Sequence, residues 1–167
     1  PERVIRPSIT TGLGLGNDGG EAIRSGLYEV IERDAAMLAW YSTYEPMGLA
    51  VDDDRFETLA DRAKSEGLSA TVLSLTQDID VPVVAACVHR EGEWPRFAAG
   101  SAADLDPTAA ARAALEAAIQ NWLELKRMRQ EQATEAGGAI ATHAAIPIPA
   151  RRSVDPETTV PAASRGP

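Results

Sequence analysis

An internal disulfide is closed to this chain. Its 167 residues include one cysteine, Cys87, so no internal bridge can form and a reducing, cytoplasmic setting is expected. Long apolar runs are also missing, because charges interrupt every candidate before it reaches the about 20 residues of a membrane span. The opening Pro1-Glu2-Arg3-Val4-Ile5-Arg6 lacks the basic start and apolar stretch of a secretory signal. Aromatic residues make up only 5%. Positive charge is scarce, and a net charge of −9 argues against nucleic-acid binding driven by phosphate neutralisation. The best basic patch, Lys126-Arg127-Met128-Arg129, falls near the end of an expected helix, where cations suit the C-terminal dipole. We therefore expect neither a nucleic-acid nor a membrane partner.

What is present reads as one α/β (α+β) domain, for which this length suffices. A glycine-rich turn over 12–20 precedes a helix expected over 19–44, with Asp18 as N-cap and Glu21 three residues on, the capping-box spacing. Ile23, Leu27, Val30, Ile31 and Leu38 recur at helical spacing and are expected to form the face that anchors this helix. Pro46 and Gly48 end it. A shorter helix is expected over 53–65, stopped by Gly67, then strands over 70–75, 81–89 and 96–102. Asp106-Pro107 opens a long helix to about 132, with cap and first-turn proline in place. The expected architecture is a small, mostly antiparallel sheet packed with two long helices and one short one. Residues 1–145 form the domain. Residues 146–167, with repeated prolines and no apolar period, read as a linker or tail. The ends, without a starting methionine or a closing element, read as cut from a longer chain.

The first helix carries the chemistry. At about 100° per residue, Glu21, Glu29 and Glu32 fall within roughly 80° of one another, with Asn17 on the same side and the apolar stripe opposite. Three gathered carboxylates repel unless a cation joins them. Carboxylate and amide oxygens suit a hard cation, and Mg²⁺ typically takes one or two carboxylates plus substrate phosphates. Arg33, at the edge of that face, has the planar guanidinium that pairs with phosphate. The ordinary alternative is a solvated acidic face balanced by Arg24 and Arg33, which spacing alone does not remove.

The run Gly14-Leu15-Gly16-Asn17-Asp18-Gly19-Gly20-Glu21-Ala22, continued by Gly26-Leu27-Tyr28-Glu29-Val30-Ile31-Glu32-Arg33-Asp34, closely resembles the G-x-x-x-G-N-x-x-x-E-A…G-L-x-E-x-I-E-R-D signature of the YcaO family. A second stretch, Gly100 to Pro107 with Arg112-Ala113-Ala114-Leu115-Glu116-Ala117, resembles the family's downstream helix, and 67–86 resembles its strand pair. Together they cover about residues 8–130. The resemblance implies that Asn17 and Glu21 contact the nucleotide and its magnesium, that Glu29 and Glu32 bind magnesium, and that Arg33 and Arg112 contact phosphate. It implies ATP and Mg²⁺ as cofactors and O-phosphorylation of a peptide amide, leading to an azoline or a thioamide. Some members instead assist methylthiolation of a ribosomal protein. It also implies a peptide or protein substrate, a partner protein delivering peptide or sulfur, and a homodimer, frequent in the family. No side-chain nucleophile is required. Part of the family's ATP site belongs to a preceding half missing from this chain, so the 167 residues alone are expected to be inactive. The competing class is a non-catalytic docking or scaffold relative.

Other motifs read as structural. Gly14-x-Gly16-x-x-Gly19 is a literal G-x-G-x-x-G, but without a strand before it the glycines form a close-packed turn rather than a dinucleotide site. His89 and His143 have no ligand-spaced partners. Cys87 reads as a small core residue, and Trp40, Trp94 and Trp122 as core or core edge, with Trp94-Pro95 the one that suits a peptide groove. Asp52-Asp53-Asp54 reads as helix capping rather than a calcium loop.

Overall fold

The computed structural model describes residues 10–42, 45–92, 94–131 and 160–161. Element order is α1 (Gly19–Tyr41), β1 (Met47–Ala50), α2 (Asp54–Ser65), β2 (Ser69–Ser74), β3 (Val83–His89), β4 (Phe97–Ala103), α3 (Pro107–Glu131) and β5 (Val160–Pro161). The sheet runs β4-β3-β2-β1-β5. Its first four strands pair antiparallel, and β5 joins β1 in parallel through Leu49–Val160 and Ala50–Pro161. The expected mostly antiparallel α+β architecture is the one observed.

Helix starts follow their caps. The Asp18 side chain accepts from the Glu21 N–H at 2.8 Å, and Asp53 accepts from the Phe56 N–H at 2.8 Å. Asp106 accepts from the Thr108 N–H at 2.9 Å just beyond Pro107. The Asp52–Asp54 run therefore supplies a cap, as read from sequence.

Strand β3 is central and apolar from Val83 to Val88 because both its faces are covered. Val84, Ala86 and Val88 face α2 and α3, in a core with Phe56, Leu68, Val72, Leu115 and Trp122. Val83, with Leu75, faces α1 through Ala35. The α3 layer sits very close: a side chain at Gly100 of β4 would put its Cβ 2.4 Å from the Ala118 backbone nitrogen. Alanines at 110, 111, 114 and 118 permit that approach.

Three expectations need correction. Strand β1 was missed, its Pro46 and Gly48 having been read only as a helix stop. Four residues are too few to show alternation, and the strand is specified by pairing with β2 rather than by its own pattern. More consequentially, the large apolar stripe of α1 is not its anchor. Ile23, Leu27, Val30 and Leu38 are 67%, 56%, 47% and 41% exposed. The helix instead rests on the sheet through Ile31, Ala35, Ala36 and Ala39, and the Gln77 side-chain amide donates to the Ala35 carbonyl at 3.3 Å. Small side chains let a helix lie closer to the sheet than leucines would. Trp40, expected at the core edge, is 70% exposed, whereas Trp122 is buried and donates through Nε1 to the Pro95 carbonyl at 2.9 Å. His143 and the boundary placed at 145/146 lie outside the described residues.

Candidate functional site

Because α1 packs by its alanines, its acidic side turns toward the protein. Glu21, Glu29 and Glu32 line one open groove of about 440 Å³ together with Arg24, Tyr28, Leu13, Leu15 and the end of β4 at Asp104. Glu32 is half-buried there and Glu29 partly covered, whereas Glu21 stands at the solvent-exposed end.

Each of the three is held by a donor. Glu21 accepts at one oxygen from both the backbone N–H of Asn17, at 2.7 Å, and its side-chain amide, at 2.9 Å. The capping box is thus displaced by one residue, since Glu21 reaches Asn17 rather than the N-cap itself. Those two bonds hold the Glu21 carboxyl below its ordinary range, with the backbone donor the larger cause. Glu29 accepts from the Gly12 N–H at 3.1 Å, and Arg33 stands 3.8 Å from its other oxygen, its guanidinium side chain largely exposed. Glu32 accepts from the Ser101 hydroxyl at 2.6 Å. Burial pushes Glu32 upward, and the Ser101 bond offsets part of that.

The glycines before α1 lay a strap across it. A Cβ at Gly14 would fall 1.9 Å from the Ala22 carbonyl oxygen, and one at Gly26 would fall 2.7 Å from that of Gly12. No side chain larger than hydrogen fits either contact. The G-x-G-x-x-G lookalike is therefore part of a backbone-on-backbone strap, which brings the Gly12 N–H to Glu29.

Arg112 is not brought to this groove. It lies in the α2/α3 layer on the opposite face of the sheet, 2.9 Å from Asp53, the N-cap of α2. Cys87, in β3, has its thiol pushed up to about 11 by burial, which suits a core residue and not a nucleophile. Two residues at this site carry no signal in the sequence: Ser101, which bonds Glu32 from behind the groove, and Asp104, which lines it. They come from β4 and the loop after it, 69 and more residues from Glu32, and no spacing rule reaches that far.

The donor set can be weighed against a metal. Among the described residues no three His, Cys, Asp or Glu side chains converge tightly enough to hold a bare ion. Mg²⁺ asks for less, one or two carboxylates with the remaining positions taken by phosphate oxygens and water. A groove lined by three separated carboxylates, with Arg33 beside Glu29, fits a magnesium-bridged polyphosphate better than a bare cation.

The family model described as YcaO cyclodehydratase, ATP- and Mg²⁺-binding, matches residues 1–162. The chain belongs to the YcaO family. The expected cofactors, ATP and Mg²⁺, are those of the family. A YcaO from Methanopyrus kandleri bound with AMPPCP and Mg²⁺ is 29% identical, with a TM-score of 0.68 over 75% of this chain and 34% of that one. A heterocyclase in complex with substrate and cofactor is 25% identical, with a TM-score of 0.69 over 88% of this chain and 21% of that one. A protein from the tfuA 3′ region of Rhizobium leguminosarum bv. trifolii, itself uncharacterized, is 28% identical over 125 residues, 67% of this chain and 30% of that protein. The chain thus spans about a third or less of the length of each of these relatives. No described helix is long and apolar enough to cross a membrane.

Proposed function

We propose that the α1 groove of this YcaO protein holds Mg²⁺-ATP, and that the whole protein uses it to activate a backbone amide of a peptide substrate toward an azoline ring. The observation that carries this reading is the inward turn of Glu21, Glu29 and Glu32 into one groove, each fixed by a donor from outside its own helical turn. A docking or scaffold protein has no use for three carboxylates gathered in one groove, each on its own donor. The similarity to a heterocyclase favours a ring over a thioamide or an accessory role in methylthiolation.

When bound, ATP supplies the phosphoryl group that turns an amide oxygen into a competent leaving group, with Mg²⁺ offsetting phosphate charge. This chain contributes positioning and charge. Glu21, Glu29 and Glu32 are the carboxylates for the cation, with Asn17 orienting Glu21. Arg33 is the guanidinium for phosphate, placed where it already answers the charge of Glu29. Arg112, tied to Asp53 across the sheet, draws no support from its placement as a phosphate contact. Lone Cys87 supports a reducing, cytoplasmic setting.

The test is magnesium-dependent ATP binding by the full protein, measured by calorimetry. Glu29→Ala and Glu32→Ala should each abolish it while leaving the circular dichroism spectrum intact. Parent-like binding by both variants would defeat the proposal in favour of a scaffold. The 167 residues alone should turn over no ATP, since they span only about a third or less of the relatives' length.

A further inference from the structure

We propose that Ser101 is a positioning residue for the magnesium site, acting through Glu32; the inference rests on the Mg²⁺-ATP reading above. Ser101 sits in β4 opposite Ala85 of β3, on the sheet face that receives α1. Its hydroxyl donates to Oε1 of Glu32 at 2.6 Å, the short distance of a charge-assisted bond. Ser101 does not line the groove, whereas Glu32 and the next two strand residues, Ala102 and Ala103, do. It therefore stands behind the carboxylate rather than beside a ligand.

The surroundings make a hydroxyl here informative. Strand β4 is otherwise Phe97, alanines at 98, 99, 102 and 103, and Gly100. Alanine would satisfy packing at 101 equally well, being smaller by one oxygen. What serine adds is a single donor aimed at a half-buried carboxylate. Glu32 has three rotatable bonds, and on the β4 side of the groove its neighbours Ala102 and Ala103 offer no other side-chain hydrogen-bond donor. With Oε1 engaged, the side chain is pinned and Oε2 is left without a hydrogen bond among the described residues. Asn17 and the Gly12 N–H treat Glu21 and Glu29 in the same manner. Hydrogen-bonded support behind ligating carboxylates typically tunes metal affinity by about 10–100-fold.

The experiment uses the full protein and reads binding rather than turnover. The Mn²⁺ concentration that half-saturates binding in the presence of AMPPCP is measured by electron paramagnetic resonance for the parent, Ser101→Ala, Ser101→Thr, Glu32→Gln and the Ser101→Ala/Glu32→Gln double variant. Ser101→Ala should raise it by about 10-fold or more, and Ser101→Thr, which keeps the hydroxyl, should stay near the parent. In the Glu32→Gln background, Ser101→Ala should add little, because its effect is routed through that carboxylate. A Ser101→Ala protein with parent affinity, a Ser101→Thr protein as weak as Ser101→Ala, or full additivity in the double variant would each overturn the assignment. A parent that binds no Mn²⁺–nucleotide would instead remove the Mg²⁺-ATP reading, and this inference with it.

Discussion

The two faces of the sheet are built to different rules. On one, α2 and α3 close a dry core in which Leu115, Val84, Val88, Ala86 and Ala114 are essentially fully buried. On the other, α1 touches the sheet through a few small residues, turns its glutamates inward and leaves Ile23, Leu27 and Val30 outside. The first face maximises buried apolar area and the second forgoes it. The α1 side that meets the groove is polar, and the small residues beneath it set its distance from the strands.

The comparison breaks most sharply at Leu115. Replacing it with alanine in the α3 layer should cost about 2–5 kcal/mol of unfolding free energy. Leu27→Ala on α1 should stay within about 0.5 kcal/mol in the same 167 residues. Both are read from denaturant midpoints, and equal losses would erase the distinction. Next in size, Gly26→Ala forces a methyl against the Gly12 carbonyl. It should cost about 1–3 kcal/mol and weaken Mg²⁺–nucleotide binding through loss of the Gly12–Glu29 bond, separating the strap from the α3 core. Smaller again, Arg112→Ala removes the partly buried pair with Asp53. About 1 kcal/mol of stability should go, with nucleotide affinity in the full protein unchanged; a large loss of affinity would return Arg112 to the phosphate site.

The smallest effect concerns pH. Glu32 has its folded-state pKa raised, chiefly by burial, so the folded state holds its proton longer than the unfolded chain does. Its charged form is the penalised one. Stability should therefore decline as pH rises from the ordinary glutamate value through the raised one, and Glu32→Gln should flatten that decline. Glu21, shifted downward by Asn17, acts with the opposite sign: its contribution is present above the ordinary value and is lost as pH falls through the lowered one. Urea titrations of the parent and Glu32→Gln across mildly acid pH check this, and a decline of the same slope in both would contradict it.

Much of this architecture is legible in one dimension. Asp18, Asp53 and Asp106 mark helix starts because a cap is a local device, settled within three residues. The periods of β3 and α3 are plain because their cores are one-sided or continuous. The site is half legible: Asn17, Glu21, Glu29, Glu32 and Arg33 lie on one side of one helix, so spacing groups them. What spacing cannot say is which side of α1 faces inward. The apolar stripe argued for one orientation and alanines at 35, 36 and 39 decided for the other, since close approach outweighed side-chain bulk. Strand β1, Ser101 and the pairing of Arg112 with Asp53 depend on contacts across tens of residues, beyond the reach of any local pattern.

The thin alanine seam beneath α1 sets the height at which that helix rides above the strands. All three glutamates project from the same rod, so an extra methylene at Ala35 or Ala39 lifts them together, like a shim under a rail. Substitutions far from any charge can thus detune every ligand distance at once, and misplacement of about 1 Å is enough to matter for positioned chemistry.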